Sequence, residues 1–237
     1  MRIDQARLDA SRLSLALRGQ RAANGRTSLV GSGRHAQYGP FTVAADLAAE
    51  GPRATLVFAD PWPTGGLKDV RLALAPIPQG FRIETEGGSR LGPFAGTLGL
   101  FARKGADTRV EIERFSVWKT AVTGTLLLGQ GGVSGKVLLA GGGLDGTIGL
   151  APRDGGQGID LALRAEDAHF GGATPIVIGS GTLEGRGTVA KDRSTLSGNL
   201  FGQGISMGSA FIGRIAANGS LENGSGAVTA SLAGRRG

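Results

Sequence analysis

Apolar residues recur at every second position along most of the chain, and the pattern is clearest over residues 122–150. There the phrase apolar-x-Gly-x-apolar-x-apolar occurs three times at steps of eleven residues, beginning at Val122, Val133 and Leu144. A period of two is that of a β-strand with one apolar face, because successive side chains leave opposite faces of a pleated backbone. Connections of about four residues can reverse the chain but cannot carry it to a parallel neighbour. The pattern therefore predicts an antiparallel meander.

The glycine of each phrase falls on the apolar face of its strand. A glycine there removes a side chain from this face and lets the sheet bend sharply. We therefore predict a curved sheet whose inner face is an apolar groove. The predicted groove residues are Phe94, Leu98, Leu100, Val122, Leu126, Leu128, Val133, Val137, Leu139, Leu144, Ile148 and Leu150.

The same alternation extends to both sides of the triple repeat, and variants of the phrase begin at Leu183 and Leu196. Pro61-Trp62-Pro63 interrupts it, because proline has no N–H for a sheet ladder. The first ten residues give no clear period and are compatible with a short helix over 4–10. Altogether we predict about seventeen strands in an all-β, elongated and mainly antiparallel curved sheet, without significant helix.

The proline-rich break separates two predicted β-repeat segments, 1–60 and 61–237, of one continuous elongated domain. Gly makes up 44 of the 237 residues and aromatic residues only 5%, so little bulk is available to fill a compact core. A hydrophobic share of 40% in regular alternation argues against a disordered chain. The absence of Cys excludes disulfides and thiolate metal sites, and leaves the redox compartment open.

The formal net charge of +7 arises from basic residues scattered along the chain. A protein that follows nucleic-acid phosphates typically has a basic arm or a basic helix, and the chain has neither. We therefore expect no nucleic acid among its partners.

Several short patterns with chemical associations are better explained as parts of a Gly-rich β protein. Gly204–Gly208 matches the G-x-S-x-G elbow, but both histidines precede Ser206, whereas that fold places its histidine after the serine. Residues 155–161 fit a single copy of a calcium-binding nonapeptide, which supplies only half a site. His169 stands beside carboxylates without a second histidine or a cysteine. We predict no catalytic, metal or cofactor site, and hence no enzyme.

Longer stretches carry a resemblance to a known family. They are Gly65–Pro76, Gly80–Thr85, Gly171–Ile176 and Leu196–Leu200. These stretches resemble central segments of TamB-type translocation and assembly module proteins, within the AsmA-like, bridge-like lipid transfer superfamily. The resemblance implies a β-taco, which is a sheet folded lengthwise into a U around an apolar groove.

The resemblance also implies a function. The chain would be a section of a periplasm-spanning protein whose groove shelters phospholipid acyl chains or nascent outer-membrane protein strands. It would serve outer-membrane biogenesis, protein secretion and phospholipid transport between the membranes, together with an Omp85-type outer-membrane barrel. Met1–Gln20 lacks the unbroken apolar stretch of a secretory signal, so attachment to the inner membrane is expected through a segment outside this sequence.

The pattern leaves one structural alternative open. In a β-solenoid or adhesin-like stalk, two eleven-residue arms would form one coil of about 22 residues around a filled core. Parallel ladders between successive coils would support this alternative.

Overall fold

The computed structural model of the chain describes residues 2–10, 12–63 and 66–234, and this part of the chain contains β-strands but no α-helix. This confirms the predicted all-β class. The strands are β1 (Arg2–Ala10), β2 (Leu13–Arg21), β3 (Thr27–His35), β4 (Gly39–Ala48), β5 (Gly51–Phe58), β6 (Lys68–Ile77), β7 (Gly80–Ser89), β8 (Gly92–Phe101) and β9 (Thr108–Val117). They continue with β10 (Thr120–Gly129), β11 (Gly132–Ala140), β12 (Leu144–Arg153), β13 (Gly156–Phe170), β14 (Ile176–Val189), β15 (Ser194–Met207), β16 (Ala210–Glu222) and β17 (Ser225–Ala233).

Each strand pairs antiparallel with the next strand in sequence, from β1–β2 to β16–β17. The result is one curved, unclosed sheet, which confirms the predicted antiparallel meander. A stalk built of coils requires parallel ladders between them, and every ladder in the described part of the chain is antiparallel.

The structure of the first strand corrects the expectation of a short helix over residues 4–10. Residues 2–10 form β1 rather than a short helix, and they pair with β2 from Arg2 opposite Gln20 to Ala10 opposite Leu13. An isolated helix of this length is unstable because its few hydrogen bonds do not offset the cost of nucleation. The ladder with β2 provides those hydrogen bonds instead.

The chain reverses at turns that contain the residue types which favour turns, such as Asn, Asp and Gly. Asp154-Gly155 and Asn223-Gly224 both have positive φ at the two central positions, as in the type I′ turns that suit twisted hairpins. Asn24 accepts a hydrogen bond from the backbone N–H of Arg26 within the predicted turn between β2 and β3. Pro61 and Pro63 lie between β5 and β6, which confirms the predicted break.

The glycines of the triple repeat allow the backbones of adjacent strands to approach closely. Gly124, Gly135 and Gly146 have φ values of 155°, 135° and 148°, a region that other residues rarely enter. A Cβ built on Gly146 would lie 2.8 Å from Leu163 Cα of β13. Each of these glycines is also paired with a bulky apolar residue on a neighbouring strand, for example Gly124 with Val137.

The sheet is not closed over a large core. Buried apolar residues form two small clusters, one around Phe41 and Phe58 on β4 and β5, and one around Ala168 and Phe170 on β13. The chain exposes 15096 Å² of surface, whereas a compact protein of this mass would expose about 9,900 Å². Most inner-face side chains are accordingly half-buried.

Candidate functional site: an apolar inner face

The strand registers place all twelve predicted groove residues on one face of the sheet. Leu98, Val137 and Ile148 share one cross-strand row, Val122 and Leu139 a second, and Leu100, Leu126 and Leu150 a third. The remaining four, Phe94, Leu128, Val133 and Leu144, extend the same face toward the strand ends. The first row runs on through Leu161 of β13 to Gly185 of β14.

The predicted groove is not uniformly open. Val137 is only 9% exposed, whereas Leu128 near the end of the neighbouring strand is 42% exposed. The other ten residues are half-buried. A polar group at Val137 would therefore lose its hydration without gaining a partner, so this part of the face is closed packing rather than accessible groove.

An open part of the face lies farther along the sheet, between β13 and β16. It is a cavity of 350 Å³ that we call the glycine trough. Its inner wall consists of apolar residues and glycines: Ile159, Leu161, Gly185, Gly187, Leu196 and Leu221. Val189, Ser194 and Gly224 stand at its border near the turns.

The trough exists because β14 carries two successive inner-face glycines. Gly185 pairs with Leu161 on one side and Gly198 on the other, while Gly187 pairs with Ile159 and Leu196. Two side chains are thus missing from the middle of an apolar surface. The predicted groove residues did not include this region, although the doubled glycine in the phrase beginning at Leu183 was the signal for it.

Gly185 differs physically from the glycines of the triple repeat. Its φ is not positive, and a Cβ built on it would have no heavy atom nearer than the Ser197 carbonyl oxygen at 3.6 Å. At Gly146 the neighbouring backbone occupies the space that a side chain would need, whereas at Gly185 a Cβ would make only ordinary van der Waals contacts. The trough can therefore receive an apolar group without movement of the backbone.

The charged side chains near the trough lie on the outer face of the sheet, opposite the trough. Arg186 borders the cavity, and its Nε lies 2.7 Å from Asp160 Oδ1. Arg153 Nη2 lies 2.7 Å from the other carboxylate oxygen of Asp160. Hydrogen bonds from Arg153 and then Arg186 hold the pKa of the Asp160 carboxyl below its usual value. The trough lining itself contributes no carboxylate.

The histidine and serine of the short sequence patterns do not form a catalytic pair. Ser206 lies within β15, where no helix follows it, so the strand–turn–helix of an elbow is absent. Val177 of β14 pairs with both His169 and Ser206, which puts these two residues two strand spacings apart, or about 10 Å. That separation is too long for a hydrogen bond between serine and base. Among the described residues, no group of three or more metal-ligating side chains occurs.

Comparisons with known proteins supply no relative. No protein-family model, curated protein or solved structure matches the chain. Within the described residues, no helix has the length and apolar character needed to cross a membrane.

Proposed function

We propose that this chain is a section of an envelope protein that binds lipid acyl chains on its apolar inner face, mainly at the glycine trough. The observation that carries the proposal is a 350 Å³ cavity with an apolar inner wall to which the two glycines of β14 contribute no side chain. An alkyl chain needs contact with apolar surface and no hydrogen bonds. Each methylene it buries contributes about 0.8 kcal/mol before the cost of association is subtracted.

The ladders favour an alkyl chain over a protein strand as the occupant of the trough. β14 and β15 each pair with a neighbour on both sides. An extended polypeptide in the trough would find no unpaired backbone groups there, and its own N–H and C=O groups would lose their hydration. A nascent outer-membrane strand would need a free sheet edge instead.

The wider role that we propose is the one that the sequence resemblance implies. An unclosed sheet with an apolar inside is one section of a conduit, and several such sections would form a path for phospholipid between the inner and outer membranes. In this role the chain would act in the periplasm, with an inner-membrane attachment and an Omp85-type barrel supplied by other segments or partners. The curved antiparallel sheet and its open trough support this role over that of a filled stalk.

The experiment compares two glycines at which a Cβ fits equally well. Gly185→Val would fill the trough from the inner face, whereas Gly149→Val would add the same side chain to the outer face, where the nearest atom to a built Cβ is Asp160 Cβ at 3.6 Å. Binding of a fluorescent palmitoyl-chain fatty acid and native mass spectrometry of co-purified lipid are the readouts. We expect Gly185→Val to weaken binding at least about tenfold, equivalent to about 1.4 kcal/mol, and Gly149→Val to leave it unchanged.

Two results would contradict the proposal. One is a wild-type chain that neither carries lipid nor binds the fatty acid. The other is equal binding by the wild type and by a Gly185→Val variant that circular dichroism shows to be folded.

A further inference from the structure

The inner face of β14 carries a row of glycines that a single larger side chain interrupts. At every second position this strand places Gly181, Leu183, Gly185 and Gly187 on the inner face. The glycine trough occupies the part of the row at Gly185 and Gly187, and its lining does not extend to Leu183. Leu183 therefore stands where the trough ends.

Leu183 belongs to a ridge that crosses the inner face. It pairs with Leu163 of β13 on one side and with Leu200 of β15 on the other, so three leucines stand in one cross-strand row. In the row at Gly185 the β15 partner is Gly198, and only β13 contributes a side chain among these three strands. The leucine ridge rises above the row at Gly185 and closes the inner end of the trough.

The opposite end of the trough opens at the turns. Val189 at this end is 56% exposed, and residues 191–193 in the turn between β14 and β15 are exposed as well. The backbone N–H of Asn223 donates to the Ser194 carbonyl oxygen at 2.7 Å, and the Ser194 N–H donates to Asn223 Oδ1, also at 2.7 Å. These two bonds join the β14–β15 and β16–β17 turns into one rim. A polar group at this rim would remain hydrated, whereas one at Leu183 would lose its hydration.

The two unlike ends of the trough define how a ligand would lie in it. We propose that Leu183 determines the length of alkyl chain that the trough accepts. A single alkyl chain enters over the rim with its apolar end first, and its last carbon stops at Leu183. The polar end of the ligand stays in solvent at the rim. This inference rests on the proposed lipid binding and adds a length limit to it.

The length of the trough gives the size of the chain. Gly185 and Val189 are four residue steps apart on β14, which corresponds to about 13 Å along a strand. A zigzag of carbon–carbon bonds of about 1.5 Å advances by about 1.25 Å per carbon. The trough therefore holds about ten carbons, and the remainder of a longer chain would lie in solvent. Each carbon within this limit should lower the Kd by up to about fourfold, and each carbon beyond it should change the Kd little.

Calorimetric titration with saturated fatty acids from about eight to about eighteen carbons tests the limit. In the wild type the Kd should fall with chain length up to about ten carbons and then level off. Leu183→Ala should move this limit about five carbons longer, because it frees two further residues of the row. Gly185→Ala should move the limit about five carbons shorter, since a Cβ fits there, with its nearest neighbour at 3.6 Å.

Leu74→Ala is the matched control for the loss of a leucine from the inner face. Leu74 is half-buried on β6 and pairs with Ala54 and Ile83, away from β14. This variant should keep the limit of the wild type. Lysophospholipids should show the same limit as fatty acids, because the head group lies outside the trough.

The results separate this inference from the proposed function. Equal limits in the wild type and in a folded Leu183→Ala variant would overturn the inference and leave lipid binding intact. A Leu183→Ala variant that loses the same affinity for every chain length would also overturn it, because Leu183 would then only support the fold. Absence of binding to the wild type at every chain length would contradict the proposed function and the inference together.

Discussion

Two glycines of β12 illustrate how differently the same residue can act in one strand. At Gly146 the φ value of 148° and the adjacent backbone of β13 both exclude a side chain. At Gly149, three residues later, φ is not positive and a Cβ has only ordinary contacts. The first glycine is required by the backbone, whereas the second is not.

This difference predicts opposite effects of alanine. Gly146→Ala should lower the free energy of unfolding by about 1–3 kcal/mol, because the residue must leave its strained conformation or displace β13. Gly149→Ala should stabilise the chain slightly or leave it unchanged, because alanine reduces the entropy of the unfolded chain. Urea unfolding of both variants checks the prediction. Equal destabilisation by the two substitutions would refute the assignment of Gly146 as a position that requires glycine.

The face on which each residue lies could be predicted from sequence, because a period of two determines the face once the strand is known. All twelve predicted groove residues therefore lie together. Their accessibility could not be predicted, because it depends on how the sheet coils. Val137 and Leu128 occupy the same apolar face on adjacent strands, yet only Val137 is buried. For the same reason the sequence did not distinguish the open site at Gly185 from the filled one at Gly124.

At the scale of elements, the last part of the sheet is built of longer strands. β13, β14, β15 and β16 contain 15, 14, 14 and 13 residues, against 8 to 10 in the strands before them. The extension of β13 was not evident from sequence, because its second half includes Glu166, Asp167 and His169, which obscure the alternation. Ala165, Ala168 and Phe170 within this extension are nevertheless buried. Tertiary packing thus determined the strand length.

This buried cluster predicts a contrast between two phenylalanines near the ends of their strands. Phe170 is 7% exposed and belongs to the cluster with Ala168, whereas Phe211 of β16 is 54% exposed. Phe170→Ala should destabilise the chain by about 3 kcal/mol through lost burial and a residual cavity. Phe211→Ala should change the stability by about 0.5 kcal/mol or less. The measurement is chemical unfolding followed by tryptophan fluorescence, and similar losses in both variants would contradict the assignment of the cluster.

At the scale of the molecule, the sheet exposes far more surface than a globule does because its inner face is not covered. Sixteen spacings of about 4.8 Å give a width of roughly 75 Å for a flat sheet, and coiling shortens it. A compact chain of this length would have a radius of gyration of about 18 Å. The open sheet should therefore scatter X-rays as a larger and less symmetric particle.

Small-angle scattering of the chain over a series of concentrations, extrapolated to zero concentration, tests this prediction. We expect a radius of gyration above about 20 Å, against the compact value of about 18 Å, and an asymmetric distribution of interatomic distances. Occupancy of the trough should change these values little, because a bound alkyl chain fills a 350 Å³ cavity without requiring the backbone to move. A compact radius with a symmetric distance distribution would mean that the sheet closes on itself in solution. In that case the inner face would be a filled core, and the glycine trough would be inaccessible to lipid.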